Sequence, residues 1–283
     1  MNNKNQNNIE LLKDLISIPS FSGKENKSAD RIENWFRENG IKCSRHKNNI
    51  YAFNKYYDKE KKTLLLNSHH DTVKPNEGYT KDPYNPEMSN GKIYGLGSND
   101  AGGALVTLLN TFKDFYDNKN LKVNLIIAAT GEEENSGPNG LKSLLRQIPP
   151  IDFAIVGEPT LMKAAVAEKG LVVFDCIIRG KASHAAHPNP KNPILKIPDI
   201  IKSIEKIKFK KVSKLLGPVK LTITQINAGN QHNVVPSSVE MVLDVRVNEL
   251  YTNEEVVELI KENVNAQIYP RSVDLNSSSI SNS

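Results

Sequence analysis

Disulfide chemistry has almost nothing to work with in this chain: its only cysteines, Cys43 and Cys176, stand far apart and outside any CxxC pairing. That excludes a disulfide framework and suits reduced thiols packed as small hydrophobes in a cytosolic protein. Long apolar runs are missing too. None approaches the roughly 20 residues that a membrane span requires, so a soluble protein with no membrane partner is expected. The opening MNNKNQNNIELL has neither an apolar core nor a small-residue cleavage site, so export is not expected and the location is read as cytoplasmic. Charge of one sign is scarce as well. The formal charge of +5 comes from lysines scattered among Asp and Glu, with only short runs such as Lys208-Phe209-Lys210-Lys211, which describes a solvated surface and no nucleic-acid partner. The glycine-rich YGLGSNDAGG carries neither G-x-x-x-x-G-K-[ST] nor G-x-G-x-x-G, which excludes a phosphate cradle; its glycines are expected to let the backbone turn tightly around Asp100.

What is present organises into two parts, as the length of 283 residues allows. Ile9, Leu11, Leu12, Leu15 and Ile16 recur at helical spacing before Pro19, and Ile32, Trp35 and Phe36 do so before Gly40. Three unbroken apolar runs follow, over residues 63–67 (TLLLN), 123–129 (VNLIIAA) and 153–156 (FAIV), a pattern that suits a sheet covered on both faces. A helix is expected over residues 101–115. The first part, residues 1–168, therefore reads as α/β with a mixed, mostly parallel sheet covered by helices. Residues 169–270 read as βαββαβ: strands over 170–179, 219–227, 238–247 and 266–269, with helices over 193–207, perturbed by Pro198, and 253–264. That order is the α+β ferredoxin-like sandwich. The Ser-rich residues 271–283 are expected to be a linker.

Each of the three apolar runs is followed within a few residues by a metal-binding group: His69, then Glu133 and Glu134, then Glu158. In open α/β sheets ligands collect outside the carboxyl ends of strands, so these distant residues are expected to converge. Singly, each has a plain structural explanation. Asp100 sits before a helix it could cap, His69-His70-Asp71 could be a strand-end turn, and Glu132-Glu133-Glu134 a solvated acidic run. Together, one imidazole and three carboxylates are the donors that zinc, cobalt or manganese accept. Asp71, two residues beyond His69, is placed to accept the second N–H of that imidazole. Glu133, next to Glu134 but pointing elsewhere, is placed to take a proton from water. His184 lies in the polar loop 180–188 after a strand, where functional groups are commonly displayed. Arg246 points away from the apolar face of its strand and fits a carboxylate ligand or an exposed salt bridge equally well.

The blocks SHHDTVKP, YGLGSNDAGG, ATGEEE, IVGEPT, GKASHAAHP and NVVPSSVEMVLDVR resemble the two-zinc aminoacylase and metallopeptidase family that contains acetylornithine deacetylase and succinyl-diaminopimelate desuccinylase. The resemblance spans nearly the whole chain. It implies a zinc-exopeptidase-like catalytic domain binding two Zn2+, with Co2+ as an alternative, and a lid that also forms a homodimer; the catalytic domain is expected to be incomplete here, lacking its C-terminal part, with residues 271–283 as the linker that would return to it. By it, His69 and Glu158 bind one metal, Glu134 the other, and Asp100 bridges; Asp71 supports His69, and Glu133 is general base and acid. His184 would polarise the scissile carbonyl, and Asn233 and Arg246 would hold the α-carboxylate of a small N-acyl amino acid. The fuller wording is most similar to the acetylornithine deacetylase branch, implying N2-acetyl-L-ornithine hydrolysis in arginine biosynthesis. N-acetylcitrulline, N-succinylornithine and N-succinyl-diaminopimelate are the alternatives, as is a catalytically silent remnant. The family also supplies a histidine to the second metal after the chain returns from the lid. No histidine of this sequence lies beyond His232, so that second position is expected to be incomplete.

Overall fold

The computed structural model describes residues 3–278, which fall into two compact units, Met1–Lys163 and Ala164–Ser283. The division lies a few residues before the boundary expected at 168, and the expected linker is grouped with the second unit.

The first unit opens with α1 (Asn3–Ile16) and α2 (Asn26–Glu38) and continues with β1 (Ser44–His46), β2 (Asn49–Phe53) and β3 (Thr63–His69). After the hairpin of β4 (Glu87–Ser89) and β5 (Lys92–Tyr94) come α3 (Gly103–Phe115), β6 (Asn124–Thr130), the single turn α4 (Leu141–Leu144) and β7 (Phe153–Val156). The sheet order is β1-β2-β6-β3-β7; β3 is parallel to β6 and β7, whereas β1 and β2 join antiparallel. The fold is the expected mixed α/β one.

One face of this sheet packs Ile50, Leu66, Leu125 and Ile127 against Leu11, Leu15, Ile32, Phe36, Leu105, Leu109 and Phe112 of α1, α2 and α3. On the other face Leu65, Ile126 and Ala128 meet Leu144 and Ile148. Cover on both faces therefore holds at β6, every residue of which is buried. It fails at β7. That strand is at the sheet edge, belongs to no buried cluster, and leaves Phe153 56%, Ile155 51% and Val156 53% exposed.

The second unit contains β8 (Gly170–Arg179), β9 (Ser183–His184), α5 (Ile197–Lys206), β10 (Lys220–Ala228), β11 (Val234–Val235), β12 (Ser238–Val247), α6 (Asn253–Asn263) and β13 (Gln267–Pro270). Its main sheet is wholly antiparallel in the order β10-β12-β8-β13, the ferredoxin-like arrangement. Alternation decides which side is core: Val172, Phe174, Cys176 and Ile178 of β8 and Val239, Met241, Leu243, Val245 and Val247 of β12 are buried against Ile200, Ile204, Val256, Val257 and Ile260 of α5 and α6. Pro198 does not perturb α5. It occupies the first turn, where its missing N–H has no helical partner to lose.

Residues 271–278 form no helix or strand, yet they are tied down. Asn253 Nδ2 donates to the carbonyls of Val273 and Leu275, Leu171 N to Leu275, and Arg271 grips Asp175. That stretch is thus anchored to the second unit, and the rest of the tail lies outside the described residues. Among the described residues no helix is long and apolar enough to cross a membrane.

Candidate metal centre

Strand register builds the site. In the parallel ladder His69 lies opposite Thr130, so β3 and β6 end level with one another, and Glu133 and Glu134 follow after Gly131 and Glu132. On the other flank Asn67 pairs with Val156, which places Glu158 two residues beyond the end of β7. Gly157 lies between them at a close approach: a Cβ there would sit 2.9 Å from Leu108 Cδ1 and 3.1 Å from Ala104 Cβ of α3. Asp100 enters from the kinked turn Ser98–Gly102, within which its own backbone is extended (φ −116°, ψ 99°) and its peptide to Ala101 is cis. The turn is closed by Gly102 N donating to Gly97 O at 2.8 Å, and Gly97 itself has φ +75°, which a glycine adopts without strain. Asp100 does not cap α3. That helix begins at Gly103 without a side-chain cap, and the Asp100 carboxylate instead faces His69.

His69, 1% exposed, is the hub. Its Nε2 is 3.1 Å from Asp100 Oδ1, 3.8 Å from Glu158 Oε2 and 3.9 Å from Glu133 Oε2. One ligand atom from each of His69, Asp100 and Glu134 falls within 4.8 Å of the other two. On its far side, His69 Nδ1 lies 3.0 Å from the carbonyl oxygen of Asp71 and 3.4 Å from its Oδ1. Because a carbonyl only accepts, Nδ1 carries the proton and Nε2 is directed at the carboxylates.

The electrostatics are those of a cation site. Burial on its own would lower the pKa of His69, but Asp71, Glu158 and Glu133 push it up to about 10. Glu158 is raised to about 7, first by burial and then by Glu133, Asp100 and Glu134, against the opposing pull of His69. Glu134 is raised for the same reasons. Carboxylates crowded to this degree resist ionisation unless a positive charge joins them, and a hard or borderline divalent ion accepts this donor set. The residues fit the metal.

Asp71 behaves differently. Burial would raise it, yet hydrogen bonds from His69, Ser22 and the amides of Glu133 and Glu134 hold its carboxyl below the usual range. Ser22 Oγ donates to Oδ2 at 2.7 Å, and the two amides reach Oδ1 and Oδ2 at 3.1 and 3.2 Å. No sequence signal marked Ser22. It reaches Asp71 only because Phe21 bridges to Thr72 and Thr72 N donates to Ser20 O.

The remaining candidates belong to the second unit. His184 lies on β9, exposed, with Ala186 N donating to its Nδ1 at 3.2 Å, and its backbone pairs with Val234 of β11. Asn233, exposed as well, immediately precedes that strand, and its carbonyl accepts from Ala185 N, so His184 and Asn233 are neighbours. Arg246 takes the salt-bridge option, gripping Asp244 with Nε at 2.9 Å and Nη2 at 3.1 Å.

A family model described as Peptidase family M20/M25/M40 matches residues 65–281. Among curated proteins, the chain is similar to succinyl-diaminopimelate desuccinylase of Rickettsia canadensis (strain McKiel), 29% identical over 277 residues that cover 89% of this chain and 71% of that protein. It is also similar to succinyl-diaminopimelate desuccinylase of Orientia tsutsugamushi (strain Ikeda), 29% identical over 294 residues, 95% of this chain and 74% of that protein. Among solved structures it resembles an M20 family metallo-carboxypeptidase from Sulfolobus solfataricus, with a TM-score of 0.69 at 20% identity over 95% of this chain and 78% of that one. A dinuclear metal binding peptidase of the M20 family from Bacillus subtilis gives 0.64 at 18% identity, covering 98% and 76%.

Proposed function

The chain belongs to peptidase family M20/M25/M40 and is a metal-dependent amidohydrolase; on that premise we propose that it removes the succinyl group from N-succinyl-diaminopimelate, releasing succinate and diaminopimelate. The amidohydrolase reading is carried by the convergence of His69, Asp100, Glu133, Glu134 and Glu158 at the ends of parallel strands. The substrate reading is supported by curated relatives that are desuccinylases and align with most of the chain. The N2-acetylornithine preference implied by motif wording, and arginine biosynthesis with it, has no such support and gives way to this alternative.

His69, Asp100, Glu134 and Glu158 would hold a divalent ion, zinc being the first candidate; a second ion, as in the dinuclear peptidase of Bacillus subtilis, would have Asp100 and Glu134 as its protein donors and so an incomplete site. Such ions supply Lewis acidity toward the amide carbonyl and toward water. Glu133, 55% exposed at its side chain and 3.9 Å from His69 Nε2, takes the proton of the attacking water and returns it to the departing amine. Asp71 keeps the His69 ring in one orientation and tautomer. His184 donates to the developing oxyanion, while Asn233 and Arg246 hold a substrate carboxylate, the latter by exchanging Asp244 for it. The second unit serves as the lid and as the dimer contact.

The test is to load the chain with Zn2+ and follow succinate release from N-succinyl-LL-2,6-diaminopimelate, with N2-acetylornithine, N-succinylornithine and N-acetylcitrulline in parallel. Turnover of the first, abolished in Glu133→Gln, is the expected result. Faster turnover of an acetylated substrate would overturn the assignment.

A further inference from the structure

Glu25 is 0% exposed, and nothing in the reaction above uses it. It stands at the N-cap of α2 but makes no side-chain cap bond to that helix. Its carboxylate is instead turned toward the loop that carries the general base. Oε1 accepts from the amides of Gly23 and Glu132, the latter at 3.1 Å, and Oε2 accepts from Asn48 Nδ2 at 3.0 Å. The Glu25 carboxylate is pressed against the backbone there, since a Cβ on Gly131 would come within 3.2 Å of Glu25 Cδ. A burial this deep is unfavourable for a carboxylate unless its oxygens are satisfied, and here three N–H groups satisfy them.

The next two amides of the same loop, those of Glu133 and Glu134, go to Asp71. Three consecutive N–H groups, 132 to 134, are thus held by two buried carboxylates. Glu132 itself has φ +57°, a left-handed conformation uncommon for a residue with a side chain; its N–H donates to Glu25, while its carbonyl accepts from Gly137 N and its carboxylate from Asn139 N and Nδ2. Behind Glu25 the arrangement is braced further. Asn48 O accepts from His70 Nε2 at 2.9 Å, and His70 Nδ1 meets Ser28 Oγ at 2.8 Å.

We propose that Glu25 is a positioning residue for the general base: it clamps the left-handed Glu132 so that Glu133 and Glu134 leave the end of β6 in their working directions. This rests on the amidohydrolase reading for its kinetic consequence but not for its structural one. The test is Glu25→Gln in the full chain, which sets three N–H donors against a single acceptor oxygen. Two quantities are read: hydrogen exchange of the amides at 132–134 against those of β6, and kcat and KM on the succinylated substrate.

The expected result is exchange at 132–134 faster by about tenfold or more with β6 still protected, and kcat lower by about tenfold or more with KM within about threefold. Glu25→Asp keeps the charge but draws it back by one methylene, and should fall between wild type and Glu25→Gln in both. Unchanged protection at 132–134 in both variants, or equal loss throughout β6, would overturn the assignment. If the wild-type chain shows no turnover, the hydrolase reading fails while the exchange result still decides the role of Glu25.

Discussion

The two units differ in where they put charge. Among the described residues, the buried acidic and histidine side chains Glu25, His69, His70 and Asp71 all belong to the first, whereas the buried polar residues of the second, Ser213, Asn248 and Asn253, carry no charge, and burial pushes its one buried thiol, Cys176, up to about 11, away from the thiolate. Charges of the second unit sit outside, and several find opposite partners: Asp175 with Arg271, Asp244 with Arg246, Glu255 with Lys211. Parallel strands explain the first pattern, because they end together and deliver the residues that follow to one place. An antiparallel sandwich sends its polar residues to an outer face, where water screens them. Like charge is crowded at the strand ends of the first unit and is met at the surface of the second by single opposite partners in the pairs just named.

The strongest way to break this contrast is to disarm the base. Glu133→Gln is expected to lower kcat by about 10²- to 10⁴-fold while leaving metal content unchanged, which turnover and metal analysis on one sample check. Asp71→Asn should weaken cation binding by about 10- to 100-fold, because it removes a charged acceptor from His69 and from two loop amides; competition with a chelating dye reads it.

Proton linkage is a subtler probe. His69 stands at about 10 and Glu158 at about 7 without a cation, and a ligand must shed its proton to bind one. Loading at about pH 7.5 should therefore release protons, chiefly from His69, and affinity should rise with pH between about 6 and 8. Calorimetry in buffers of different ionisation enthalpy measures the release, and its absence would contradict the crowding described here. The smallest effect belongs to the second unit. Thr252 and Glu255 form a reciprocal cap on α6, and Thr252→Ala should cost about 1 kcal/mol of stability with no change in metal affinity, seen as a lowered denaturation midpoint.

Much of this was legible in the sequence wherever one kind of pattern repeated. Residues 63–67 and 123–129 announce themselves as covered strands, close to the observed Thr63–His69 and Asn124–Thr130, and β12 does so by strict alternation. By contrast β1 carries Ser-Arg-His, with no periodicity at all, and forms only because β2 pairs with it across a turn in which Lys47 has φ +57°. FAIV reads as a strand, but its exposure depends on what lies beside it and no residue type encodes that. The acidic and histidine residues of the metal centre stand out by type and by place after strands. Ser22 and Glu25 do not, since their partners lie 49 and 107 positions away and become neighbours only through tertiary packing.

The central claim is that the strand ends of the first unit form a divalent-cation site, with Asp100 shared among its donors. The direct measurement is zinc bound per chain, by elemental analysis after equilibrium dialysis, in wild type and in Asp100→Asn. Tight binding by wild type with loss or steep weakening in the variant is the predicted result. Equal zinc in both, or none in wild type, would contradict the account.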